Sequence, residues 1–133
     1  MPANVSTQFF ETGNVSFRAQ GAVVGKTFLA IGADNTGGPA LSTDLENLYV
    51  MKTCPAAAKA IGVAKYDVAD TQAGGVHGQP GMIVPVTCGA AVAAGQEVEV
   101  GAAGKAVPLA SGKAAGIAMS GAANGADAQI KLY

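Results

Sequence analysis

Glycine and proline decide what this chain can become. Nineteen glycines and six prolines are spread from one end to the other rather than gathered in a linker. Between them lie runs of about five residues in which apolar and polar side chains alternate, the two-residue period of a half-buried strand. Helices of ordinary length do not survive such punctuation, because Gly and Pro in a helix interior cost about 1 and 3 kcal/mol. The expected fold is therefore all-β, a small β-barrel or β-sandwich, with an extended N-terminal arm over residues 1–14, one β domain over 15–133, and at most one short helix.

The runs can be placed one by one. Asn14 to Gln20 puts Val15 and Phe17 on one side and Ser16 and Arg18 on the other. Thr27 to Ile31, Leu48 to Thr53, Ile61 to Val68, Ala115 to Met119 and Ala128 to Tyr133 read as further strands. Thr43-Asp44-Leu45-Glu46 has capping-box spacing, the place for the one short helical turn. Asp70 to Gly81, DTQAGGVHGQPG, reads as an exposed loop. Met82 to Thr87 carries Pro85, which suits an edge strand or a bulge. Gln96 to Val100 is expected to point Val98 and Val100 inward and Glu97 and Glu99 outward. Gly101-Ala102-Ala103-Gly104 is a hairpin connection, after which Val107 and Leu109 face inward. IGVAKYDVADTQAGG near Ile61 is echoed by AGIAMSGAANGADAQ near Ala115, which reads as two similar corners of one barrel.

Composition limits the function classes. Half of the residues are hydrophobic, but many are Ala, aromatics are 5 % and Trp is absent, so the core is thin and stability completed by assembly is an attractive reading. A net charge of −1 offers no field to attract nucleic acid. No apolar run reaches the ~18 residues of a membrane helix, and the N-terminus lacks the pattern of a secretory signal. Cys54 and Cys88 read as two small buried thiols.

No chemical constellation assembles. Gly21-Ala22-Val23-Val24-Gly25-Lys26-Thr27 has three residues between its glycines where a phosphate loop needs four, and reads as a hairpin turn. Val50-Met51-Lys52-Thr53 resembles the Met-Lys hairpin of biotin-carrying domains without its flanking signature. His77, the lone histidine, has no acid or cysteine at ligand spacing and reads as a solvated loop residue. Glu97 and Glu99 read as a solvated strand face. No catalytic residue, cofactor site or metal site is expected. Phe9 and Phe10 point to opposite sides of an extended chain, so one can enter a neighbour; with Arg18 they are the candidate partner-binding residues.

The succession AVVGKTFLAIG, IGVAKYDVAD, GMIVPVTCGAAVAAGQEVEVGAAGKAVPL and AAGIAMSGAANGADAQIKLY resembles the capsid decoration (head cement) proteins of tailed bacteriophages. The resemblance spans roughly Val15 to Tyr133 and is clearest from Gly62 onward. It implies an all-β virion protein, made in the bacterial host cytoplasm, that binds the major capsid protein on the capsid exterior, commonly as a homotrimer, with no nucleic-acid or membrane partner and no catalysis. A head fibre or tail component, or a small β-barrel carrier or ligand-binding domain, remains the alternative.

Overall fold

The computed structural model describes residues 14–33 and 49–133. Among the described residues ten strands form: β1 (Asn14–Ala19), β2 (Phe28–Ile31), β3 (Tyr49–Thr53), β4 (Gly62–Ala64), β5 (Ala73–His77), β6 (Ile83–Thr87), β7 (Glu97–Val100), β8 (Ala106–Pro108), β9 (Gly116–Ala118) and β10 (Asp127–Leu132). The fold is all-β, as the punctuation requires. The helical turn expected at Thr43–Glu46 lies outside the described residues.

The strands make two sheets. The first is a closed barrel, β1-β3-β2-β4-β5, and the second is five-stranded with the order β6-β10-β9-β7-β8. Walked from β1 through β5, the barrel has the same order as the second sheet. The registers agree rung for rung: Phe17 opposes Gly74 as Val86 opposes Ala128, Leu29 opposes Gly62 as Val98 opposes Gly116, and Leu29 opposes Thr53 as Val98 opposes Pro108. Val23 bridges Val68 as Val92 bridges Ala122. The molecule is a tandem duplicate. The echo in the sequence is not two corners of one barrel; it marks β4–β5 and β9–β10, the same hairpin of two equivalent units. Its glycines are fixed by contact, since a Cβ at Gly62 would stand 2.5 Å from the His77 carbonyl oxygen and one at Gly116 would stand 2.5 Å from that of Lys131.

The cores follow the duplication. The first buries Phe17, Ala19, Val23, Leu29, Met51, Ala64, Val68 and Val76. The matching positions of the second are smaller at the decisive places, with Val86, Val98 and Ala106 for Phe17, Leu29 and Met51. The missing volume is filled from the first unit: Phe28, Ala30, Cys54 and Val63, on the outer face of the barrel, belong to the second core cluster. Phe28 is completely buried.

The two units differ at one connection. The β2–β3 connection spans residues 32–48, whereas β7–β8 takes only 101–105. In the first unit β3 runs beside β1 in parallel over Phe17–Tyr49, Arg18–Val50 and Ala19–Met51, which closes the barrel. The short one turns at once, with the Gly101 N–H donating to the Lys105 carbonyl at 2.7 Å and Ala103 and Gly104 at φ 57° and 72°. There β8 meets β6 only through the bridge Cys88–Ala106. The first barrel stands in the gap: the Thr87 N–H donates to the Lys26 carbonyl at 2.9 Å, and the Gly104 backbone lies against the Phe28 carbonyl, where a Cβ would come within 2.9 Å.

Several local expectations are corrected. Residues 73–77 are not loop but β5, the strand that closes the barrel against β1. Polarity misleads there because Gly74 must be small: a Cβ would meet the Val68 side chain at 2.3 Å and the Phe17 ring at 3.2 Å. Gly21–Thr27 is a turn but not a hairpin, because β3 lies between β1 and β2. Ala106, not Val107 or Leu109, is the buried residue of β8, and Leu109 is 38 % exposed. Glu99 is buried and not solvated. Pro85 does lie on an edge strand, β6.

Candidate interaction surfaces

Arg18 projects from β1 between Val50 of β3 and Ala73 of β5. Strand alternation sends it outward while Phe17 and Ala19 are buried. With Gln20, Ala33, Val50, Asp70 and Thr71 it lines an open hollow of about 270 Å³. The walls of the hollow are fixed by side chain to backbone bonds. The Gln20 Oε1 accepts the Ala33 N–H at 2.7 Å, and the Asp70 Oδ1 accepts the Gly21 N–H at 2.8 Å. Among the described residues no ion pair engages the Arg18 guanidinium. Phe9 and Phe10 lie outside the described residues.

The titratable groups are dispersed. His77 sits on β5, opposite Val63 of β4. Burial first, and Lys65 second, push its pKa down, and its Nδ1 is buried with no hydrogen-bond partner among the described residues. Glu97 and Glu99 do not form a carboxylate pair. The Tyr133 hydroxyl donates to Glu97 at 2.9 Å, which raises the tyrosine pKa, whereas Glu99 accepts the Gly112 N–H. Burial pushes both thiols, Cys54 and Cys88, upward, and both are free and buried. Among the described residues no group of three His, Cys, Asp or Glu side chains is placed to hold a metal ion, and no helix is long and apolar enough to cross a membrane.

Two sequence temptations resolve into structure. Lys52 lies within β3, opposite Ala30 of β2, and not at the tip of a hairpin where a carrier lysine is presented. Lys26, in the phosphate-loop-like stretch, has φ 62°; its counterpart by register is Gly95, which takes the same left-handed turn at φ 88°. A lysine occupies this position in the first unit because it has work between the units. Its Nζ pairs with the Asp127 Oδ2 at 2.7 Å, and the Thr87 hydroxyl donates to the Asp127 Oδ1 at 2.9 Å. These two hydrogen bonds, that of Lys26 first, hold the Asp127 carboxyl below its usual range. The sequence offers no sign of this latch, because the partners are 101 residues apart.

What the geometry presents is surface: a double unit with an open hollow beside Arg18 and an exposed face on the second sheet. No family model matches the chain, and no curated protein matches it. The fold, however, has a solved counterpart. The N base of the head fibre protein gp8.5 of bacteriophage phi29 is similar over 90 % of this chain and 92 % of that one, with a TM-score of 0.72 and 19 % sequence identity. At that identity the likeness concerns the fold, and it extends to nearly the whole double unit.

Proposed function

We propose that the chain is a structural virion protein of a tailed phage that attaches to the outer surface of the capsid. The observation that carries this reading is the match of both units together, in order and over 90 % of the chain, to a head fibre base. The sequence resemblance to head decoration proteins supports the same reading. The two lines differ on the finer role: resemblance favours a cement that strengthens the head, and the fold neighbour favours the base of a head fibre. Either role needs a rigid body with binding surfaces, made in the bacterial cytoplasm and added to the major capsid protein. Neither needs catalysis or a cofactor. Self-association as a homotrimer belongs to the same reading, since many weak contacts repeated on a symmetric shell sum to avidity.

Arg18 and its hollow are the anchor we assign to the shell, together with the arm that carries Phe9 and Phe10. Purified chain mixed with undecorated capsids of the source phage should co-sediment and saturate, and Arg18→Glu should weaken that binding about tenfold or more. Failure of the unaltered chain to bind such capsids ends this reading.

A further inference from the structure

The duplication identifies a second docking face. In the first unit, Cys54, Phe28 and Val63 form one transverse row on the outside of the barrel: the Cys54 N–H donates to the Phe28 carbonyl at 3.0 Å, and Phe28 opposes Val63. All three are 0–1 % exposed, because this row is what docks on the second sheet. The same row of the second unit remains uncovered. It runs Ile83, Lys131, Ile117, Glu97, Leu109 across β6, β10, β9, β7 and the end of β8. Ile83 is 50 % and Leu109 38 % exposed, and Tyr133, bonded to Glu97, is 57 % exposed.

The order of residues along that row is self-complementary. Read in either direction it is apolar, charged, apolar, charged, apolar, with opposite charges on the two sides of Ile117. Neighbouring strands lie ~4.8 Å apart, so Lys131 and Glu97 are separated by roughly 10 Å across β9. A second copy turned by a two-fold axis through Ile117 sets Lys131 against Glu97, Glu97 against Lys131, Ile83 against Leu109, and Ile117 against itself. Head-to-tail stacking of the kind used inside the chain is blocked. Glu97 occupies the place of Phe28, and the second core already holds the chain's own Phe28. A closed two-fold contact avoids open polymerisation.

We infer that the outer face of the second sheet, centred on Ile117 and flanked by Lys131 and Glu97, binds the same face of a second copy of this chain. The inference does not depend on the phage-head reading, and it describes a contact separate from the expected trimer. Sedimentation velocity of the full chain over a concentration series at low salt tests it. The chain dimerises, and Lys131→Glu and Glu97→Lys each weaken the dimer at least tenfold. Lys131→Glu combined with Glu97→Lys restores it to within about threefold, since only the reciprocal pairing survives that exchange. Ile117→Asp, with circular dichroism confirming the fold, abolishes the two-fold contact and leaves the monomer or the separate trimer, with no dimer of either. A chain that stays monomeric at millimolar concentration, an oligomer indifferent to both single reversals, or a double reversal that fails to rescue overturns the inference.

Discussion

The two halves of this molecule run the same topology through the same registers and end in different conditions. The first closes into a barrel, with β3 lying beside β1 over three rungs. The second, with a five-residue connection and smaller core residues, stays open between β6 and β8 and is completed by Phe28 and its neighbours. Duplication thus does not yield two independent domains here. The closed unit pairs its own edges over three rungs, whereas the open one does so at a single bridge and takes core side chains from its neighbour.

The sharpest way to break this comparison is at the borrowed side chain. Phe28→Ala should cost about 3–5 kcal/mol, the range for a fully buried aromatic, although the residue lies outside the barrel to which its strand belongs. In denaturant titrations the amides of β6 and β8 should lose protection first. A loss below about 1 kcal/mol would show that the second unit does not need the first.

Next in size are exchanges between equivalent rungs. Phe17 faces Gly74 where Val86 faces Ala128, so Gly74→Ala alone should destabilise by about 1–3 kcal/mol through overpacking. Adding Phe17→Val, which recreates the rung of the second unit, should recover part of that loss, and a double-mutant cycle measures the coupling. Strict additivity would argue that the two rungs are not equivalent.

Titration distinguishes the units more gently. The first carries His77 where the second carries Lys131, and the folded state binds a proton on His77 less readily than the unfolded chain does. A lowered folded pKa means stability is full above the unfolded pKa of about 6.5 and declines as pH falls below it. His77→Gln should flatten that slope between about pH 7 and 5, read by thermal melts. The smallest effect belongs to the latch. Asp127 has a lowered pKa, so its contribution is present above the unfolded carboxylate value and lost as pH falls through the lower folded one. With Lys26 51 % and Asp127 34 % exposed, Asp127→Asn should cost only ~0.2–1 kcal/mol, and less in high salt.

Local alternation made the strands legible, and it failed where tertiary contact overrides it. Phe17, Ile130 and Leu132 announce their faces by period alone. Glu99 does not, because its burial depends on the Gly112 N–H brought to it by a distant turn. AGGVH in β5 reads as loop until the Phe17 ring is known to lie over Gly74. The duplication left only a faint trace in the residues, since what it conserves is backbone approach at Gly62 and Gly116 rather than side-chain identity. Of the candidate contact residues, Arg18 could be found by alternation. The Ile83–Leu109 row could not, because it is assembled from five strands that only the sheet order sets side by side.

The proposed attachment to the capsid exterior is tested most directly by imaging. A cryo-electron map of heads incubated with the chain should show density the size of the double unit at symmetry-related positions on the outside of the shell, with the first barrel and its Arg18 hollow nearest the capsid surface. Heads that remain bare, or density found only at the tail, would contradict it.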